Sequence, residues 1–334
     1  MKRVSIKDIA DAVGLSTAAV SIVLSGKNKN RRVSKKMTEK ILATAKEMNY
    51  QPNLLAQSLQ SGKSKTIGLL VADICNPFFA LVATNIQSEL QKQGYAVIII
   101  NTEENAQRMD EAILLLRARQ VDGLIVVPTA YGEQSIQNLV KSKIPLVLFD
   151  RYFPQFETSN VLANGYKAVY EATIQEIQKG KKNIKFFTYK TPLNSIRSRE
   201  QGYITAMREA KLDDYIDIRS VSYYNINEEI EKEITSIEDI ENQQMCIICS
   251  SNNVSVATLK GIKERKVNIG KDIDVICFDK SEVYNFIDGH FTYIEQPIYD
   301  MSVKVVSSLM EKINSTDDDN ITNTTQMSCK FSYK

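Results

Sequence analysis

The sequence holds one histidine, His290, and that scarcity removes several chemistries at once. A single imidazole leaves little room for a serine triad, and no GxSxG turn is present to carry its nucleophile. No GxGxxG occurs, so a dinucleotide fold would lack its phosphate turn. Gly62-Lys63-Ser64 imitates the end of a P-loop, but the earlier glycine it needs is replaced by Gln57. Its context is also reversed, with a helix before it and a strand after. The adjacent carboxylates Glu103-Glu104 and Glu228-Glu229 fall in polar contexts expected to face water. Together these absences point away from an enzyme.

Long apolar runs are missing too. Nothing approaches the roughly 20 residues needed to span a bilayer. Lys2 and Arg3 are not followed by an apolar stretch, so no export signal is expected and the chain reads as cytoplasmic. The five cysteines, an odd number, fit reduced thiols in that compartment. Cys246-Ile-Ile-Cys249 has redox or metal spacing, but it lies in the apolar run MCIIC, which reads as a buried strand. Residues three apart on a strand point to opposite faces, so the two sulfurs would not share a ligand. With one histidine and no second cysteine pair, a structural zinc has no ligand set, and nothing calls for a cofactor.

What is present is concentrated at the start. In IKDIADAVGLSTAAVSIVLSG (6–26), Ile6, Ile9, Ala10 and Val13 recur at helical spacing and Gly14 offers a left-handed C-cap. Ser16 can cap a second helix that buries Ala19, Val20, Val23 and Leu24. Two short helices around a glycine turn can be an ordinary hairpin or a helix-turn-helix that sets its second helix in the major groove. Charge decides: residues 1–62 carry a net +7 and the rest a net −5. A basic module on an acidic body is the footprint of a phosphate-binding domain. After a polar loop, Ser34 caps a third helix with the stripe Met37, Ile41, Leu42, Ala45 and Met48. Tyr50-Gln51-Pro52-Asn53 breaks it, and Asn53 can cap a short helix, 54–60, too brief to stand alone in water.

From Thr66 the pattern changes to alternating strands and helices. Strands are expected at 67–73, 95–100, 123–127, 146–150, 184–188, 216–222, 245–250 and 274–279, with helices between them and a last helix at 298–313. This rhythm implies parallel sheets covered on both faces, in two runs sized for two lobes. Ligands of such lobes sit at the carboxyl ends of the strands.

The pieces IKDIADAVGLSTAAVSIVLSG, NYQPN with LLAQSL, IGLLVADICNPFF, DGLIVV, IPLVLFDR, RSREQGY, SNNVSVATLKGI, DIDVICFD and EQP come in an order that resembles the lactose/galactose repressor (LacI/GalR) family of bacterial transcription regulators. The resemblance implies an all-α helix-turn-helix headpiece on an α/β body like a periplasmic binding protein, made of two doubly wound parallel-sheet lobes. The headpiece would span 1–62 with a hinge helix at 53–60, and the body 63–334. The first lobe would take about 66–158 and 297–323, the second about 162–293 and 325–334.

By the same resemblance, Thr17, Ala18 and Ile22 read bases, while Ser5, Ser16, Ser21, Arg32, Ser34 and Asn53 bond phosphates or bases. The family usually has Arg at Ile22; isoleucine can offer only apolar contact, as to a thymine methyl. Leu59 matches a residue that wedges a minor-groove step, though it could instead pack on the partner's copy. Either role requires a homodimer on a pseudo-palindromic operator. The effector cleft is implied at Asn76, Phe78, Phe79, Asp150, Arg151, Arg199, Ser251, Asn252, Asp279 and Gln296. Of the two phenylalanines, Phe79 is the better candidate for core. At 251–252 the family has Asn-Asp, so either Ser251 meets the ligand or the register shifts by one. Asp and Arg in that set suit hydroxyl groups, hence a sugar-like effector. The expected function is a ligand-responsive regulator and, by its family, a repressor; the alternative is a sugar-binding protein with a non-functional head.

Overall fold

The computed structural model describes residues 4–26, 28, 32–51, 62–238, 240, 244–315 and 322–334. Two compact units divide the chain, Met1–Ser64 and Lys65–Lys334.

In the first unit, α1 (Ile6–Val13), α2 (Thr17–Leu24) and α3 (Lys35–Glu47) surround a small core. Ile9, Ala10, Val13, Val20, Val23, Val33, Ile41 and Ala45 are its buried members. Ala19 and Leu24 only pack against it, and Leu42 is 50% exposed rather than part of the stripe. Leu42 sits one residue round the helix from Ile41, off the face shared by Met37, Ile41, Ala45 and Met48. Gly14 closes α1 at φ 72°, its N–H bonded to the Ala10 carbonyl. Before α3, Asn28 bonds the Val33 carbonyl and accepts its N–H, both at 3.0 Å. The expected short helix at 53–60 lies outside the described residues.

The second unit holds two six-stranded sheets. The first sheet is ordered β11-β5-β4-β3-β1-β2, from β1 (Thr66–Val71), β2 (Ala96–Asn101), β3 (Gly123–Val126), β4 (Leu146–Phe149), β5 (Ser159–Ala163) and β11 (Thr324–Met327), with every pair parallel. Helices α4 (Pro77–Lys92), α5 (Ala106–Ala118) and α6 (Glu133–Lys141) connect its strands. The second sheet is ordered β12-β10-β9-β8-β6-β7, from β6 (Ile184–Tyr189), β7 (Asp217–Val221), β8 (Met245–Cys249), β9 (Ile273–Phe278), β10 (Thr292–Glu295) and β12 (Lys330–Tyr333). Helices α7 (Gly165–Gln178), α8 (Asn194–Glu209), α9 (Ile226–Thr235) and α10 (Asn252–Glu264) belong to this half. Only the edge strand β12 runs antiparallel, against β10. Helix α11 (Ile298–Asn314) returns to the first half, where Met301, Val305, Val306 and Leu309 enter its core.

Among the described residues the chain therefore changes lobe three times, at Asn164, at Gln296-Pro297 and at Ser328-Cys329. Two of these crossings are tied together, since the Asn164 N–H donates to the Met327 carbonyl at 2.7 Å. The expected lobe limits need correction: Ser159–Ala163 and Thr324–Met327 both belong to the first sheet and pair with each other. Strands of four or five residues are too short, and TTQM too polar, to give a periodic signal, so they leave no mark in the sequence pattern. Cys246 and Cys249 pack into different hydrophobic clusters, one on each face of their sheet. Among the described residues no cluster of His, Cys, Asp or Glu could hold a metal, and no helix is long and apolar enough to cross a membrane.

Candidate nucleic-acid interface and ligand cleft

Each head helix begins at a serine whose Oγ accepts the N–H three residues on: Ser5 from Asp8, Ser16 from Ala19, Ser34 from Met37. These helix starts carry exposed N–H groups and positive dipole ends, suited to phosphate. Ser5 suits it least, because its hydroxyl proton goes to the Asp8 carboxylate at 2.7 Å, which places an anion at that cap. Thr17 and Ala18 are exposed on α2; Ser21 and Ile22 are half-buried on it. Arg32 is exposed just ahead of α3, alongside exposed Lys7, Lys35, Lys36 and Lys46. Asn53 and Leu59 lie outside the described residues.

In the second unit the cleft candidates collect at the carboxyl ends of strands. After β1, Asn76 caps α4 by accepting the Phe78 N–H at 3.0 Å, with Pro77 at the first helical position, where no N–H is needed. Phe78 and Phe79 are both buried in the first-lobe core, with ring centroids 4.9 Å apart and edge to face. Phe79 is core as expected, and its ring also lies 5.5 Å beneath the Arg151 guanidinium.

Asp150 and Arg151 leave the end of β4. Arg151 Nη2 and Nη1 donate to both oxygens of Glu104 at 2.6 and 2.8 Å, and Nη1 also reaches the Pro128 carbonyl at 3.1 Å. The Glu104 side chain is 9% exposed, which corrects the expectation that it faces water. Its neighbour Glu103 is the exposed one and pairs with Arg108. Two adjacent carboxylates look alike in sequence, but one turn after β2 points them opposite ways. Arg151 Nε lies 3.4 Å from Asp150 Oδ2. Burial pulls the Arg151 pKa down, but Glu104 more than offsets it, so the guanidinium stays charged. Burial raises the Asp150 pKa, partly opposed by Arg151 and Arg199.

From the other lobe, Arg199 stacks 3.6 Å above the Phe278 ring and donates to the Ser250 carbonyl at 2.7 Å. Gly165 permits this arginine: a Cβ there would sit 2.9 Å from Arg199 Cγ and Nε. Asp279 follows β9, accepts from Gln296 Nε2 at 2.7 Å, and receives the Tyr284 hydroxyl on its carbonyl at 2.9 Å. Its carboxyl pKa is pushed up to about 6 by burial, against the pull of Arg199 and Gln296. Asp150 and Asp279 are equivalent in their lobes: each directly follows a strand and holds a left-handed backbone, at φ 64° and 69°.

Ser251 and Asn252 begin α10. Ser251 Oγ caps the helix by accepting the Val254 N–H, whereas the buried Asn252 Nδ2 has no hydrogen-bond partner. Ser250 Oγ, Arg199 Nε and Gln296 Oε1 are likewise buried without one. Buried polar atoms are normally paired, so a concentration of orphans marks where a polar molecule would be held. Sequence reasoning missed Glu104, Ser250 and two tyrosines: Tyr189, whose pKa burial lifts to about 12, and Tyr223, 5.2 Å from it ring to ring. An open cavity of about 640 Å³ adjoins this cluster. Asp73, Cys75 and Pro77 line it from one lobe, and Tyr223, Tyr224 and Asn252 from the other. Of the expected cleft residues, Asn252 lines this cavity, and the charged cluster is buried like it.

Comparison with known proteins places both units. Residues 64–334 match the family of periplasmic binding proteins and the sugar binding domain of LacI family, and residues 5–53 match bacterial regulatory proteins, lacI family. The chain is 29% identical over 319 residues to the ribose operon repressor of Haemophilus influenzae, covering 94% of this chain and 93% of that protein. The fold is similar to that of the Lac repressor dimer bound to operator and an anti-inducer, at TM-score 0.84 and 18% identity over 99% of this chain and 98% of that one. A LacI family regulator from Enterococcus faecium with bound ribose aligns at TM-score 0.70 and 21% identity, over 80% and 96% of the two chains.

Proposed function

Because the chain belongs to the LacI family of bacterial regulatory proteins, we propose that it is a cytoplasmic homodimeric repressor whose grip on an operator is set by a neutral sugar-like molecule. The carrying observation is the cluster of Asp150, Arg151, Arg199, Asn252, Asp279 and Gln296, drawn from both lobes and rich in buried unpartnered polar atoms. A molecule with several hydroxyls can donate to the two aspartates and accept from the guanidiniums and the Asn252 amide. Glu104, Asp150 and Asp279 outnumber the two arginines, and Glu104 already occupies Arg151, so a phosphorylated effector is disfavoured. The relatives named for ribose, or holding it, make that pentose the first compound to try.

Gln296 supplies the link to motion. It stands in one of the three lobe crossings and bonds Asp279. A ligand that rearranges this carboxylate therefore acts on a hinge segment. The lobe angle sets how two headpieces meet the half-sites, with Asn53 and Leu59 on the intervening segment. Linkage is reciprocal: operator and effector change each other's affinity by the same factor.

The alternative of a sugar binder with a non-functional head is set aside, since residues 5–53 match the DNA-binding family and keep a folded three-helix core. The test is a mobility shift on DNA upstream of neighbouring genes, with a thermal-shift screen of neutral sugars, uronic acids and nucleosides. Bound ligand raises stability by mass action, so a hit can be scored before any operator is identified. No shift with any sugar, or no preference for genomic over random duplex, would refute the corresponding half of the proposal.

A further inference from the structure

Helix α2, TAAVSIVL, contains no Lys, Arg, Asn, Gln, Asp or Glu. Its inner side is committed to the core through Val20 and Val23. Toward solvent it presents Thr17, Ala18, Ser21 and Ile22. The flanking serines are engaged locally: Ser16 Oγ takes the Ala19 N–H, and the Ser25 hydroxyl donates to the Ile22 carbonyl at 3.2 Å. In a helix-turn-helix the second helix is the one whose side chains meet base edges in the major groove.

Guanine is read there by paired bonds from Arg or Lys, adenine by paired bonds from Asn or Gln, and cytosine by a carboxylate. None of those groups exists on α2. The hydroxyls of Thr17 and Ser21 can bond any base, so they select weakly. What remains is methyl and methylene surface on Ala18, Thr17 and Ile22. The one base feature in the major groove that matches such surface is the thymine C5-methyl.

We propose that this chain reads its operator half-site chiefly by apolar contact, with Ala18 and Ile22 set against thymine methyl groups, so the pairs facing α2 are A·T. Exposed Lys7, Arg32, Lys35, Lys36 and Lys46 supply a sequence-independent hold on phosphates. The inference rests on the operator-binding reading above and adds what that operator contains.

The experiment selects sites for the full chain from a randomised duplex pool, then replaces thymine by uracil at each selected position. The expected result is A·T at the pairs facing α2, with affinity falling about fourfold for each contacted methyl removed. Ile22→Ala should abolish the uracil effect at one of those positions while leaving the salt dependence unchanged, because phosphate contacts remain. Ile22→Arg should move the preference at that pair toward G·C. A selected site with G·C at those pairs, or affinity indifferent to uracil, overturns apolar reading while operator binding stands. A pool that yields no enriched site overturns both.

Discussion

Arg151 holds Glu104 through two parallel hydrogen bonds, 2.6 and 2.8 Å long, across 47 residues of sequence, with both side chains less than a tenth exposed. The pair locks the end of β4 to the turn after β2 and fixes the wall of the cleft. Glu104→Ala would strand a buried guanidinium and should cost about 3–5 kcal/mol. The expected outcome is a large fall in melting temperature. Glu104→Gln, which keeps one acceptor oxygen, should fall less. Equal and small losses for both variants would mean the pair contributes little.

Asp150→Asn keeps a residue type that tolerates a left-handed backbone but removes the charge. It should weaken effector binding at least tenfold in calorimetry and leave unliganded operator binding within about twofold. An unchanged effector affinity would remove Asp150 from the site.

Asn252→Ala should separate binding from stability. Its buried Nδ2 has no partner in the protein, so its removal loses no internal bond of that nitrogen. Melting temperature should shift little, while sugar affinity falls about tenfold, the worth of roughly one good hydrogen bond. The matching result with Ser251→Ala would return the ligand contact to the other register.

Asp279 sets a pH dependence. Its folded pKa of about 6 lies above the ordinary carboxylate value, so the folded state binds its proton more tightly than the unfolded one. Its contribution to stability is present at low pH and is lost as pH rises through about 6. A sugar hydroxyl donating to this carboxylate favours the ionised form, so effector affinity should rise between pH 5 and pH 7, about 5 to 7 being the span around that value. Calorimetry in buffers of different ionisation heat should show proton release near pH 6. Proton uptake on binding would contradict the contact.

Leu59→Ala should weaken operator binding by about tenfold or more and leave effector affinity intact, as expected of a minor-groove wedge. Equal loss of both would refute that role.

Much of this is legible from residue order. Gly14, Ser16 and the spacing of Ile9, Val13, Val20 and Val23 mark the head, because caps and periodicity are local properties. The strands MCIIC and LVLF read clearly since both faces are buried. The strands SNVLA, TYIE, TTQM and KFSY do not, being short and partly polar, and TTQM pairs with a strand more than 150 residues earlier, Thr324 opposite Asn160. In the same way Glu104 cannot be told from Glu103: its burial depends on an arginine that follows another strand. Arg199, Asp279 and Gln296 emerge through family resemblance, while the Gln296 bond to Asp279 exists only once the chain has folded.

The backbone at Asp150 and Asp279 carries an evolutionary corollary. Positive φ favours glycine, asparagine and aspartate and penalises β-branched and bulky side chains, so substitution at these two positions is restricted. New effector preferences in descendants of this scaffold are then written mainly around those anchors, on ordinary backbone that lines the cavity, such as that of Tyr223 and Tyr224.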